Sequence, residues 1–267
     1  MITQYANLIA IFFYVLAGIY LLRKVLRQET AERSLVLGLT ALALVIHGVG
    51  VYGLSIREQG FQLGFFAVSS LIFWVINLIV LISSQRKPLH NLFIMLFPLS
   101  ALAVSASLIG HTDKPELMLS YTLAGHILLS ILAYSLLTIA TLQALLVAYQ
   151  NHQLKHRQAT GIIRMLPPLQ TMESLLFELL WAGQIILTLS ILTGIVFLDD
   201  IFAQHLAHKT AFSIVAWLIY ALLLWGRHAL GWRGYTAIRW TLVGFSMLML
   251  AYFGSKLVLE VILQRVG

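Results

Sequence analysis

About eight stretches of ~20 mostly apolar residues, most free of charge, follow one another along this chain, and each has the length and character an α-helix needs to cross a bilayer. They run approximately over 5–23, 34–54, 62–84, 91–110, 121–149, 173–198, 210–227 and 237–264. Lipid offers no hydrogen-bond partners, so each segment must satisfy its backbone internally, and apolar runs of this length do so as helices. The expected fold is therefore all-α: a polytopic membrane helix bundle of about eight transmembrane helices. A chain that is 60% hydrophobic and only 10% charged, with a mean hydropathy of +0.91, lies outside the range of soluble domains.

The first apolar stretch follows Met1-Ile2-Thr3-Gln4 with no basic segment before it, while Arg23, Lys24 and Arg27 come after it. That is the reverse of a secretory signal, so the stretch reads as a true span. The alternate connections 1–2, 3–4, 5–6 and 7–8 hold Arg23, Lys24, Arg27, Arg33, Arg86, Lys87, Lys155, Arg157, Arg164, Arg227, Arg233 and Arg239. The other side has Arg57, Lys114, Lys209 and Arg265, with Lys256 inside the last span. This asymmetry predicts that both termini face outward, to the periplasm. The formal net charge of +7 then reflects topology and contact with anionic membrane lipid, and gives no ground for nucleic acid as a partner.

No connection is long enough for a separate soluble domain, so residues 1–267 read as one integral membrane domain. Five helices (5–149) precede a basic cytoplasmic loop (150–172), and three helices (173–264) follow it. Pro167-Pro168 in that loop disfavours helix at the preceding residue, marking the lead into span six. Cysteine is absent, which excludes thiolate ligation, iron–sulfur clusters and thiol–disulfide exchange in this chain. The sequence also lacks the motifs of nucleotide-driven and zinc- or serine-based hydrolytic enzymes.

What remains are the 9 histidines. His90, His152, His156 and His228 fall among the inner Lys and Arg residues, where a solvated role suffices. His47, His111, His126, His205 and His208 gather at the outer end, His111 closing span four and the last two in the loop before span seven. An unpaired imidazole within a span is costly, so His47 and His126 are either hydrogen-bonded between helices or functional. Their similar depth on different helices suits bis-imidazole ligation of haem iron. A non-haem metal site that adds Asp199 or Asp200 is the competing reading. Lys256 and Glu260, four apart on span eight, can pair on one helix face, or Lys256 can meet a haem propionate.

The stretch His126-Ile-Leu-Leu-Ser-Ile-Leu-Ala-Tyr134 resembles the histidine-bearing helix of the cytochrome c assembly (haem-handling) membrane proteins. Other segments agree in order: His47-Gly-Val-Gly followed by Arg57, then Ser69-Ser-Leu-Ile-Phe-Trp74, and later Lys209-Thr-Ala-Phe-Ser-Ile-Val-Ala-Trp217. Leu166-Pro-Pro-Leu, Trp225-Gly-Arg, Gly231-Trp-Arg-Gly and Ala251-Tyr-Phe-Gly-Ser-Lys256 are similar to the YpjD-like inner-membrane branch, related to the HemX-like proteins. The likeness covers roughly residues 40–260.

The resemblance implies a bacterial inner (plasma) membrane location and an outward-facing site for haem b. His126 would be an external iron ligand and His47 a membrane histidine. His208 enters from depth alone. The family's haem-presenting loop is rich in tryptophan, whereas the 6–7 connection here, Leu198-Asp-Asp-Ile-Phe-Ala-Gln-His-Leu-Ala-His208, has none. The histidine expected after Tyr252-Phe-Gly is also absent, with Leu263 near that point. The expected function is thus accessory, in cytochrome c or haem protein assembly, and not that of a complete synthase. The alternative is a haem-free scaffold that regulates a membrane protein partner, such as a transporter or ion-homeostasis protein.

Overall fold

The computed structural model describes residues 2–57, 60–61, 64–110, 121–156, 166–197 and 204–254. They form α1 (Ile2–Leu26), α2 (Arg33–Ser55), α3 (Phe65–Ser83), α4 (Phe93–Ile109), α5 (Tyr121–Lys155), α6 (Leu169–Phe197), α7 (Gln204–Ala229) and α8 (Gly234–Met249). A two-residue antiparallel ladder, β1 (Ile56–Arg57) with β2 (Gly60–Phe61), follows α2. Among the described helices, 7 are long and apolar enough to cross a membrane. The last, α8, passes into a π-helical turn over Leu250–Gly254. The remainder of the eighth expected span, with Lys256 and Glu260, lies outside the described residues.

The helix boundaries follow local chemistry. Gln28 takes a left-handed conformation (φ 56°) just past α1, and the amides of Gln28 and Glu29 fold back onto the carbonyls of Val25 and Lys24. That is the backbone pattern that closes a helix C-terminus. In the same turn a 2.7 Å hydrogen bond from Lys24 holds the exposed Glu29 carboxyl below its usual range. After Pro167-Pro168, the Pro168 carbonyl accepts the amide of Met172, so α6 begins where the proline pair allows. Several boundaries differ from the sequence expectation by a few residues, and two differ most. α5 continues to Lys155, and α7 starts at Gln204, so the backbone of His205 and His208 is helical instead of loop. Neither segment holds a helix breaker, and a helix need not stop at the edge of the hydrocarbon.

The chain divides into two compact units: Met1–Met118 with Gln153–Pro167, and Leu119–His152 with Pro168–Gly267. In the first, α1 packs against α2 and α4, and α3 closes the ring between them. Its core includes Tyr14, Ile76, Val80, Leu96 and the stacked pair Phe93–Phe97, with ring centroids 5.1 Å apart. A Cβ at Gly50 would overlap the Asn7 amide, so glycine is what lets α1 and α2 approach there. Asn77 ties α3 to α4 through a 2.6 Å bond to Ser100, and Arg33 caps the end of α3 at the carbonyls of Ser84 and Gln85.

In the second unit, α6 packs on α7 and α7 on α8. Two bonds at Trp217 join α6 to α7, from Gln184 Nε2 to the Trp217 carbonyl (3.2 Å) and from Trp217 Nε1 to Thr188 Oγ1 (2.8 Å). Tyr134 on α5 meets Phe245, Tyr252 and the Met249 sulfur, which accepts its hydroxyl proton. The outward face of α6, by contrast, is an apolar stripe: Trp181, Ile185, Leu189 and Leu192 are all exposed at helical spacing, the arrangement of a lipid-facing surface.

The α7–α8 turn explains two of the sequence motifs. Gly231 and Gly234 both have positive φ (68° and 54°), and the amides of Leu230 and Trp232 return to the Gly226 carbonyl. Trp232 stacks on Trp240, and Arg227 lies over the Phe177 ring while donating to the Trp232 carbonyl. The buried Glu173 carboxylate of α6 accepts the Gly234 amide at 3.0 Å and Arg233 Nε at 3.4 Å, securing the start of α8. Glu173→Gln, which keeps an oxygen acceptor but loses the charge, should lower stability by about 1–2 kcal/mol, part of the roughly 1.5–3 kcal/mol of a hydrogen bond to a charged group. A circular-dichroism melt in detergent should show a drop of roughly 2–8 °C. Arg233→Ala, whose side chain is 56% exposed, should fall by less than Glu173→Gln does.

Candidate functional site

His126 lies near the start of α5, where the helix is still partly open, before dense burial begins at Ile131. Its Nδ1 is 3.0 Å from the Ser190 carbonyl and 3.1 Å from Thr193 Oγ1, both on α6. The Thr193 hydroxyl donates its own proton to the Ser190 carbonyl at 2.9 Å, so toward His126 it can only accept. Both partners being acceptors, Nδ1 carries the proton. The lone pair then sits on Nε2, which makes no hydrogen bond among the described residues. A histidine whose Nδ1–H is held by a backbone carbonyl is in the form that binds metals through Nε2. One turn on, Ser130 Oγ donates to the His126 carbonyl and meets Ser190 Oγ, each at 2.8 Å, tying α5 to α6 at this level.

His47 is placed differently. It is fully buried, with Nδ1 3.1 Å from the Tyr14 hydroxyl of α1 and Nε2 2.9 Å from Ser70 Oγ of α3. Both ring nitrogens are engaged, so His47 links three helices. To ligate a metal it would first have to release one partner. Beside it, Trp74 Nε1 donates to the Leu44 carbonyl at 2.9 Å, and a Cβ on Gly48 would meet that same nitrogen at 3.2 Å.

His208 stands on the first turns of α7, but its side chain lies outside the described residues, as do His111, Asp199, Asp200 and Lys256. Among the described residues no three His, Cys, Asp or Glu side chains converge. The donor chemistry on offer there is the single imidazole. Depth alone had put His47 and His126 in one class. Sequence alone assigned no role to their partners Tyr14, Ser190 and Thr193, nor to Ser70 within its Ser69–Trp74 motif, although Ser190-Ile-Leu-Thr-Gly194 brings two hydroxyls and a glycine into one turn near the end of α6, a usable signal.

Residues 35–263 match the model of the family described as Cytochrome C assembly protein. The inner membrane protein YpjD of Escherichia coli strain K12 is 29% identical over 263 residues, covering 96% of this chain and 98% of the relative. A 28.8 kDa protein of Azospirillum brasilense is 32% identical over 140 residues, and Protein HemX of Brevibacillus brevis is 24% identical over 141; each alignment covers 52% of both chains. No solved structure matches. With a family match across most of its length, a near full-length inner-membrane relative and helices of membrane-spanning size, this chain is a multi-pass inner-membrane protein that belongs to the cytochrome c assembly protein family.

Proposed function

We propose that the protein is a haem-handling factor of the inner membrane that holds haem b at its outer face through Nε2 of His126, in an accessory role in cytochrome c or haem protein assembly. The observation that carries this reading is the fixed Nδ1–H tautomer of His126, which leaves Nε2 as an open ligand at a partly exposed helix start. Imidazole is the common protein ligand of haem iron, so the donor fits the group. When bound, haem supplies a redox-active iron, and the work of the chain is to bind and orient it.

His208 stands ahead of His47 as the second ligand, since His47 already uses both nitrogens in packing. Lys256 is assigned to a propionate. The outward orientation of this end follows from the basic residues on the opposite connections. The experiment is a dithionite-reduced absorption spectrum of protein purified after expression with ample haem. Soret and α bands are expected; their absence defeats the reading.

The second reading, a haem-free partner of a transporter or ion-homeostasis protein, is favoured by the tryptophan-free 6–7 connection. In that case a stoichiometric membrane partner should co-purify with the chain and no haem with it.

A further inference from the structure

The face of α6 opposite His126 is built as a seat for an imidazole, and we infer that Ser190, Thr193 and Gly194 are positioning residues that select the tautomer and ring plane of His126. This inference rests on the haem reading for its purpose, but its geometry stands apart from it. The Ser190 carbonyl and the Thr193 hydroxyl both accept from Nδ1. Gly194 supplies the third wall: a Cβ there would lie 3.0 Å from His126 Cε1 and 3.5 Å from Nδ1. With a methyl there the ring would have to give by a few tenths of an ångström, so the bare Cα is what lets the ring sit where it does against the helix backbone.

The seat therefore acts on the ring through Nδ1 and the Gly194 backbone. It places the proton on Nδ1, leaves Nε2 without a hydrogen bond among the described residues, and opposes a ring flip, which would put the non-donating Cδ2 edge against the Ser190 and Thr193 acceptors. A hydrogen bond from Nδ1–H to a carbonyl also raises the basicity of the other nitrogen, strengthening it as a ligand. Ser130 and Ser190 fix the spacing of the two helices while this happens.

A pair of glycine variants separates positioning from stability. Gly194→Ala and Gly125→Ala both gain helix propensity. Gly125 has nothing within 4 Å of its would-be Cβ, however, so only Gly194→Ala pushes on the ring. Both should fold as well as the parent. Haem retention should fall about tenfold or more in Gly194→Ala and by about tenfold in Thr193→Val, the scale set by outer-shell partners of ligating histidines. It should be unchanged in Gly125→Ala.

The readout independent of haem is nitrogen NMR of protein labelled with ¹⁵N-histidine, with His126 assigned from the His126→Gln difference spectrum. A protonated Nδ1 is expected in the parent and a mixed tautomer population in Gly194→Ala. An Nε2–H tautomer in the parent, or a Gly194→Ala spectrum identical to that of Gly125→Ala, overturns the inference. If the parent shows no haem bands, the haem reading alone fails, and the NMR result still decides the seat.

Discussion

His47→Leu should destabilise the N-terminal unit by about 2–4 kcal/mol, because it strands two buried hydroxyls at about 1–3 kcal/mol each, with polar contacts between membrane helices toward the low end of that range. Leucine keeps most of the volume, so the loss is chiefly one of pairing. Tyr14 and Ser70, both fully buried, give up the bonds of 3.1 Å and 2.9 Å that join them to the imidazole. The triple variant Tyr14→Phe, His47→Leu, Ser70→Ala should recover much of the deficit, since removing every partner together leaves nothing unsatisfied. Circular-dichroism unfolding of the purified variants in detergent compares them. A single variant as stable as the parent, or a triple no better than the single, would show that the imidazole is not what holds α1, α2 and α3 together.

The different parts played by His47 and His126 mark where the sequence stopped being informative. Span number and approximate limits were legible because lipid imposes one requirement, a long apolar helix, and a hydropathy pattern reports it directly. The helix ends were less so: nothing in Gln150–Lys155 or Gln204–Lys209 stops a helix, so α5 and α7 run past the apolar stretch that betrays them. Position within each span was all the sequence offered for the two histidines, and it set them in one class. Rotation about each helix axis was not legible. It decides whether an imidazole meets Tyr14 and Ser70 from both sides or only the acceptor turn of α6 from one, and it is set by packing between segments distant in sequence. The resemblance to the cytochrome c assembly proteins singled out His126 on local motif alone. The tautomer argument, which needs Ser190 and Thr193 some 60 residues away, came only with the fold.

His126→Ala should remove the Soret and α bands of the haem-loaded protein while leaving its folded yield unchanged. The ring is partly exposed, its Nε2 has no partner among the described residues, and its loss frees acceptors that have other donors: Thr193 still donates to the Ser190 carbonyl, and Ser130 still joins α5 to α6. Little stability is therefore at stake, and the expected change is in haem content, by tenfold or more if the iron loses its protein ligand. Imidazole added to the buffer should restore part of the absorbance by filling the space at Nε2, a rescue that a misfolded variant would not show. His208→Ala should also lower haem content. His47→Gln, which keeps a donor and an acceptor for Tyr14 and Ser70, should retain the bands. The reverse pattern, bands lost with His47→Gln and kept with His126→Ala, would move the haem site into the three-helix junction around His47 and leave the open Nε2 of His126 without a role.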